Sequence, residues 1–277
     1  MTSRNVFLTT GAIALLSSSL FLVPACSDGR VEAVSSQPAP IVLGTPATDH
    51  PEAVLVDLYE GGLLTAYCSG SVIAPYVVLT AGHCVDGVGS WQVTAPFAGG
   101  QTAESSNGVL LDWKGNGDTL NPQAHDIALV ILSTPITLPS YPVLAQTPLP
   151  DGTSVVNVGR VQDGTLSSTA LYESMPLRVY DATAYGWPLD YLTMDAVQAG
   201  DSGGPDYAAG ANGPVLVAVN SGATTSKYYE VLARVDLAAS WIAAQVAAFP
   251  TGLPYVPPDA GTDAPPDTSL AEDAPAD

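Results

Sequence analysis

A serine lies between glycines and an acid in the segment 198–205, Gln-Ala-Gly-Asp-Ser-Gly-Gly-Pro. The small residues on both sides leave the Ser202 hydroxyl uncovered and let other backbone approach closely. The N–H groups of Gly200 and Ser202 can converge on one point, as a developing oxyanion requires. The same residue types dominate ordinary turns, so this segment alone leaves a catalytic loop and a simple turn both open.

A serine hydroxyl is a weak nucleophile without a nearby base, which is most often a histidine. The chain has three histidines, His50, His83 and His125, and all precede Ser202. Gly200–Gly204 also fits the Gly-x-Ser-x-Gly motif of α/β-hydrolases, but that class places its histidine after the serine. The order therefore excludes that class for a single chain. His50 belongs to a polar loop and is predicted to lie on the surface.

His83 and Asp126 are the best candidates to assist this serine. His83 precedes Cys84, which can bridge back to Cys68 and fix the loop that holds the imidazole. Asp126 begins an apolar run, where a buried carboxylate is costly without a partner. Orienting an imidazole and stabilising its cationic form would provide that partner. A structural histidine and an exposed aspartate are the alternatives that the residues leave open.

Short apolar runs rich in β-branched residues recur along the chain, separated by turn residues. They predict strands at 53–59, 71–73, 76–80, 91–94, 109–111, 127–132, 154–161, 177–180 and 215–219. This recurrence predicts an all-β barrel or sandwich. One helix is predicted over 237–249, with Asp236 as its N-cap, Leu237 on its apolar face and Pro250 at its end.

Three segments match, in order, the signatures of the trypsin/chymotrypsin-like serine proteases, and the chain resembles that family from about residue 41 to about residue 249. They are Thr80–Cys84, Asp126–Leu129 and Gly200–Pro205. The resemblance implies two antiparallel six-stranded β-barrels of the chymotrypsin type with a C-terminal helix. The site would lie in the cleft between the barrels.

The resemblance also implies a role for each site residue. Ser202 would be the nucleophile, His83 the general base and then the general acid, and Asp126 the residue that orients the imidazole. The N–H groups of Gly200 and Ser202 would form the oxyanion hole. Peptide bonds would be hydrolysed through an acyl-enzyme, and no cofactor or metal ion is expected.

The specificity pocket departs from the family's pattern. Gln198 replaces a cysteine that often bridges this pocket, and the pocket-floor position falls on Ala196. A preference for Lys or Arg is therefore not supported, unless a one-residue shift brings Asp195 to the floor. The substrate-pairing segment falls on Asn220, Ser221 and Gly222. A serine at 221 would leave the pocket wall more open than an aromatic residue does.

Activation in the family inserts a new amino terminus against the acid that precedes the nucleophile, here Asp201. Ile41–Gly44 resembles that amino terminus, but Leu43 replaces a glycine and Pro40 occupies the cleavage side. Cleavage before Ile41 would also release the enzyme from any upstream anchor. The alternative is an enzyme that stabilises Asp201 without a new amino terminus.

The predicted domains are 1–25, an export signal of lipoprotein type; 26–40, a linker or short propeptide; 41–249, a trypsin-like serine protease domain; and 250–277, a disordered acidic tail. Two processing routes fit the first boundary. Signal peptidase can cut after Ala25, or Cys26 can be lipidated in a lipobox-like segment. An odd cysteine in an exported protein suggests a reactive thiol, an intermolecular bridge or a modification, and lipidation would account for Cys26.

Composition limits the partners. The net charge is −20, with 27 acidic against 7 basic residues and no basic patch, which argues against nucleic acid. The leading prediction is an exported, monomeric endopeptidase of the cell envelope that acts on proteins or peptides, attached through Cys26 or released. A catalytically silent, protease-like binding protein and an esterase that uses the same site are the alternatives.

Overall fold

The computed structural model describes residues 44–115, 120–194, 198–224 and 229–257. Several predictions fall outside these ranges: the export signal, Cys26, Ile41, Asp195, Ala196 and most of the acidic tail. No helix among the described residues is both long enough and apolar enough to cross a membrane.

Eighteen β-strands and one α-helix occur in the described residues. In chain order the strands are β1 (Thr45–Pro46), β2 (Ala53–Glu60), β3 (Leu63–Ala74), β4 (Val77–Thr80), β5 (Ser90–Ala95), β6 (Gln101–Ser105), β7 (Gly108–Leu110), β8 (Ala128–Ile131), β9 (Val143–Leu144), β10 (Thr153–Gly159), β11 (Val161–Gln162), β12 (Thr165–Leu166), β13 (Tyr172–Glu173), β14 (Leu177–Asp181), β15 (Asp190–Met194), β16 (Pro205–Gly210), β17 (Gly213–Ala223) and β18 (Tyr229–Arg234). The helix α1 covers Val235–Ala248, and 3₁₀ turns cover Gly82–Cys84 and Thr183–Tyr185.

Seven strands form an open antiparallel sheet, a half-barrel, in the order β6-β5-β2-β3-β4-β8-β7. Side chains alternate across each strand, so neighbouring residues enter different cores. Val54 and Val56 pack into a cluster on one face of β2, whereas Ala53 and Leu55 pack into another on the opposite face. Both faces are buried, which explains why β2 appears in the sequence as a nearly continuous apolar run.

Six strands close into a barrel in the order β10-β14-β15-β18-β17-β16, because β16 pairs back with β10. The closing register sets Asn157 opposite Asp206. Two short strands, β13 and β1, extend the sheet from β10, and β9 runs parallel to β17. Closure pairs both edges of the sheet and fixes which side chains point into the barrel.

These two sheets confirm the predicted all-β fold of the chymotrypsin type. The second barrel closes with six strands, and the first is a half-barrel of seven. They pack against each other through one apolar cluster that includes Leu79 and Leu129 from the half-barrel and Val158 and Val219 from the closed barrel. The helix adds Ile242 to the same cluster. An apolar interface therefore joins the two sheets.

The predicted helix exists, but its first turn differs from the prediction. It begins at Val235 directly after β18, and Asp236 is not its N-cap. The Asp236 carboxylate instead accepts hydrogen bonds from the Arg234 guanidinium, at 3.0 Å from Nε and 2.7 Å from Nη2. Leu237 was predicted on the buried face but is 45% exposed. The direct connection from strand to helix rotates the helix so that Val235 and its i+3, i+4 and i+7 neighbours face the core.

The prediction that His50 lies on the surface is wrong. Its ring is buried and stacks on Tyr207, with centroids 4.4 Å apart and planes 7° apart. Its two nitrogens lie 3.4 Å from carboxylate oxygens of Glu52 and Glu173. Burial alone would raise the pKa of Glu52, but hydrogen bonds from His50 and from the backbone hold it below its ordinary value. Strand pairings remote in sequence bring Tyr207 and Glu173 to this loop, so its polar sequence does not reveal the burial.

Candidate active site

His83 and Asp126 are held together by the pairing of two strands. β4 and β8 are antiparallel neighbours, and Thr80 at the end of β4 lies opposite Ala128 at the start of β8. His83 follows the first strand and Asp126 precedes the second, so the two meet at the same edge. The His83 backbone N–H donates to Asp126 Oδ1 at 2.8 Å, and His83 Nδ1 lies 2.8 Å from Asp126 Oδ2. The carboxylate is 2% exposed.

Asp126 has a third hydrogen-bond partner that sequence reasoning missed. The Ser221 hydroxyl, from β17 of the closed barrel, donates to Asp126 Oδ2 at 2.6 Å. Ser221 was predicted in the pocket wall, whereas its hydroxyl binds the buried carboxylate. The only available signal was general: a buried carboxylate requires several donors. This contact ties the two barrels together at the imidazole.

A disulfide joins Cys68 in β3 to Cys84 beside His83, as predicted. A ring nitrogen of His83 and both sulfur atoms lie within 4.8 Å of one another. These are metal-binding residue types, but metal ligation by cysteine requires thiolates, and here both sulfurs are engaged in the disulfide. The disulfide therefore constrains the loop that carries the imidazole. In the chain-entropy model, closing a loop of this size stabilises the folded state by about 3 kcal/mol.

The Ser202 loop is attached to the half-barrel beside this disulfide. The Ser69 N–H donates to the Ser202 carbonyl at 2.7 Å, and the Ser69 hydroxyl donates to the Gly200 carbonyl at 3.0 Å. The Cys84 sulfur lies 3.7 Å from the Ser202 carbonyl oxygen. Within the described chain, neither the Gly200 N–H nor the Ser202 N–H donates to a protein acceptor. An oxyanion hole would require both N–H groups to be unoccupied in this way.

Asp201 lies beneath this loop and is fully buried. Its carboxylate accepts from the N–H of Val161 at 2.8 Å and from the N–H of Gln198 at 2.9 Å. Burial raises the pKa of Asp201 to about 7, while these amides and the charge of Arg160 act in the opposite direction. The backbone N–H of Gln198 thus binds the carboxylate of Asp201, three residues later in the chain. The other proposed partner, Ile41, lies outside the described residues.

The remaining pocket residues lie on β17. Asn220 is fully buried, and its amide donates to the carbonyls of Asp201, at 3.1 Å, and Val158, at 3.4 Å. Gly222 faces Leu120, because a Cβ on Gly222 would lie 3.2 Å from Leu120 Cδ1. Glycine at this position therefore lets Leu120 pack close to the strand. Ala196 lies outside the described residues.

Five strands of the closed barrel contribute to a buried polar layer, defined by Asn157, Thr193, Asp206, Asn220 and Glu230. The Asn157 and Asn220 amides bond to each other, and Asn157 Nδ2 also donates to Glu230 Oε1 at 3.0 Å. Neither Asp206 oxygen has a donor in hydrogen-bonding geometry among the described residues. Burial raises the pKa of Asp206 well above its ordinary value, and the adjacent Asn157 offsets this only in part. Sequence reasoning missed this layer because barrel closure assembles it.

The effect of burying a carboxyl group can be tested at Asp190, through the pH dependence of stability. Burial and the negative charge of Asp126 raise its pKa to about 8, against the opposing charge of Arg234. A raised carboxyl pKa favours the folded state below the unfolded pKa of about 4 and loses that contribution as pH rises towards the folded value. We therefore compare the free energy of unfolding of Asp190→Asn with that of the wild type. We expect this difference to change in favour of the variant by on the order of 3 kcal/mol as the pH is raised from about 5 to about 8.5.

Urea unfolding of both proteins at these two pH values measures this difference. Asp49→Asn is the matched control, because Asp49 is exposed. Equal effects of the Asp190 and Asp49 substitutions at both pH values would contradict the assignment of the buried, proton-binding carboxyl to Asp190.

A closed barrel and a half-barrel, with a histidine–aspartate pair in one and a glycine-rich serine loop in the other, define the chymotrypsin-like class of serine proteases. The trypsin family model matches residues 41–242, and the chain belongs to this family. It is a serine-type endopeptidase by that membership.

The chain is similar to named trypsins over most of their length. It is 28% identical over 209 residues to a trypsin of Sarcophaga bullata, covering 66% of this chain and 80% of the relative. It is 31% identical over 215 residues to trypsin I-P1 and to trypsin I-P38 of Gallus gallus, covering 66% of this chain and 82% of each relative. The matched region contains every predicted site residue except the lipidation site Cys26.

Proposed function

We propose that this protein hydrolyses peptide bonds through an acyl-enzyme on Ser202, with His83 as general base and Asp126 as its orienting partner. The observation that carries this proposal is the chain of hydrogen bonds from Ser221 through Asp126 to His83 Nδ1. With Nδ1 donating to a buried carboxylate, the imidazole presents Nε2 as its basic atom. The attachment of the Ser202 loop through Ser69 supports the same mechanism, since it holds this loop against the half-barrel that carries His83.

The steps follow from these positions. Nε2 of His83 takes the hydroxyl proton as Ser202 Oγ attacks the carbonyl carbon, and the N–H groups of Gly200 and Ser202 receive the developing oxyanion. The imidazolium, stabilised by Asp126, then gives its proton to the leaving amine, and the acyl-enzyme forms. Water then attacks the acyl carbon as His83 takes its proton, the bond from this carbon to Ser202 Oγ breaks, and His83 returns the proton to Oγ as the acid product leaves. The oxyanion donors and the oriented base would both stabilise the transition state.

Covalent labelling tests this function. A fluorophosphonate probe is expected to label the folded protein and to lose that labelling in Ser202→Ala. Ser140→Ala, at an exposed serine, is the matched control and is expected to label like the wild type. Labelling that persists in Ser202→Ala, or none in a folded protein with a mature amino terminus, would reject Ser202 as the nucleophile.

The location of the enzyme is a second part of the proposal. The apolar segment before residue 25 and the Val-Pro-Ala-Cys sequence that ends at Cys26 support export, followed by lipid attachment at Cys26. Relatives of the trypsin family are often exported. Intact mass and amino-terminal sequencing of membrane-bound and released forms test this. An unmodified Cys26 in the membrane fraction would reject lipid attachment.

A further inference from the structure

The buried polar layer brings two cross-strand pairs together inside the closed barrel. Asn157 on β10 lies opposite Asp206 on β16, and Thr193 on β15 lies opposite Glu230 on β18. Directly opposed residues of neighbouring strands point to the same face of a sheet. The Asn157 amide reaches from one pair to the other and donates to Glu230 Oε1 at 3.0 Å, so both pairs face the barrel interior. Asp206 is therefore directed into the layer.

The amide hydrogens of the layer are bonded to acceptors other than Asp206. The Asn157 amide donates to Asn220 Oδ1 and to Glu230 Oε1. The Asn220 amide donates to Asn157 Oδ1 at 3.0 Å and to the Asp201 carbonyl at 3.1 Å. Each amide group has only two such hydrogens, so neither has one left for Asp206. Both carboxyl oxygens of Asp206 thus have no donor among the described residues, although the side chain is fully buried.

The layer also contains no cationic side chain. Its five residues include two carboxyl groups, those of Asp206 and Glu230, and no lysine, arginine or histidine. A buried carboxylate is costly unless a donor or an opposite charge compensates for the lost water. A proton would neutralise Asp206 but would leave its second oxygen without a donor. A metal cation can bind both oxygens at once.

The atoms of the layer limit which cation fits. Its possible ligands are the carboxyl oxygens of Asp206 and Glu230, the amide oxygens of the two asparagines, and the hydroxyl of Thr193, which has no partner among the described residues. A set of oxygen ligands without nitrogen or sulfur suits calcium and magnesium. Calcium accepts roughly six to eight oxygens in a flexible arrangement, whereas magnesium requires an octahedron and keeps several waters. Two carboxylates in a dry interior therefore favour calcium, whose double charge they balance.

We propose that the buried polar layer of the closed barrel binds one calcium ion through Asp206, Glu230 and Thr193. The ion would join β15, β16 and β18 from inside and compensate the two carboxylates. The family resemblance implied no metal ion, so this site is an addition to it. The site does not depend on the proposed function, because none of its ligands takes part in the chemistry assigned to Ser202.

The layer is nevertheless connected to the serine loop. The Asn220 amide donates to the Asp201 carbonyl, and the Asn220 carbonyl accepts from the Gly203 N–H at 2.7 Å. Asn220 is bonded in turn to Asn157, which binds Glu230. An ion in the layer would thus stabilise the segment that carries Ser202 as well as the barrel.

The first experiment measures calcium binding and stability on the full chain. The thermal unfolding midpoint is recorded by near-ultraviolet circular dichroism in EGTA, in EGTA with excess MgCl₂, and in about 1 mM CaCl₂. We expect calcium to raise the midpoint by about 5 °C over EGTA, and magnesium by less than about 1 °C. Elemental analysis after desalting from calcium is expected to find about one calcium ion per chain. No bound calcium with an unchanged midpoint, or an equal rise in magnesium, overturns the inference.

The second experiment removes single ligands. Asp206→Asn keeps the shape of the side chain but removes its charge, and it is expected to lose both the bound calcium and the rise in midpoint. Asp190→Asn is the matched control, because Asp190 is another buried carboxyl of the same barrel that lies outside the layer. It is expected to keep both. Thr193→Val removes only a hydroxyl and is expected to weaken calcium binding, measured by calorimetric titration, by at least about tenfold.

These variants also separate the ion from a proton. A calcium-dependent rise that persists unchanged in Asp206→Asn places the ion elsewhere and overturns the inference. If Asp206→Asn does not fold, Thr193→Val decides, and wild-type calcium affinity in that variant overturns it. A proton held on Asp206 predicts no bound calcium, and a wild type that loses stability relative to Asp206→Asn as the pH rises from about 5 to about 8.5. That result overturns the inference as well.

Discussion

Asp126→Asn is expected to lower kcat by about 10⁴-fold while leaving the fold intact. An amide cannot accept from the His83 backbone N–H, from Nδ1 and from the Ser221 hydroxyl as a carboxylate does, and it favours the wrong imidazole tautomer. The loss of this size is that of the family's own template, whose chemistry is the one proposed here. Active-site titration and kcat on a peptide substrate measure it.

The chain contains a matched control for this substitution. His125 makes the same two contacts with Asp112: its N–H donates to Oδ1 at 2.7 Å, and its Nδ1 lies 3.0 Å from Oδ2. Asp112→Asn therefore breaks a histidine–aspartate pair of equal geometry, and it is expected to leave kcat within about threefold of the wild type. Similar losses in both variants would show that the kinetic effect of Asp126→Asn reflects general damage to a loop.

Gly203→Ala is expected to destabilise the protein by on the order of 4 kcal/mol. Gly203 has φ of +79°, and a Cβ there would lie 2.1 Å from Thr80 Oγ1 and 2.5 Å from the Ser69 carbonyl oxygen. The second of these atoms is backbone of the half-barrel, which cannot yield without separating the serine loop from β3. Urea unfolding monitored by fluorescence measures the loss.

Gly152→Ala separates the two causes of this loss. Gly152 has φ of +78°, but a Cβ there would have no atom within 4 Å. It therefore carries the same backbone strain without the clash, and we expect a cost of about 1 kcal/mol. Equal destabilisation in the two variants would mean that the serine loop does not pack tightly against the half-barrel.

Local patterns in the sequence predicted some strands well but gave no strand at β6, β15, β16 or β18. The run 53–59 became β2 and the run 177–180 became β14 with ends shifted by one residue. Such runs are set by apolar content and β-branching, which act within a single strand. The helix start was wrong because the end of β18 continues directly into α1, and no capping residue separates them.

The sequence by itself determined which residues are candidates for the chemistry of this protein. The order of His83, Asp126 and Ser202, the two cysteines of the disulfide and the glycines around the serine are all properties of residue type and order, so they can be found without a structure. Membership of the trypsin family can likewise be recognised from the sequence. A short motif can be recognised from local residue types, although its chemistry depends on partners from elsewhere in the chain.

Only the tertiary structure decided what surrounds that chemistry. Ser221 beneath Asp126, Arg160 beneath Gly200 and the carboxylates of the buried polar layer are brought together from different strands. Each contact depends on the register of strand pairing and on the packing of one barrel against the other. Because a shift of one residue turns a side chain to the opposite face, these contacts are fixed by the whole fold and not by any local pattern.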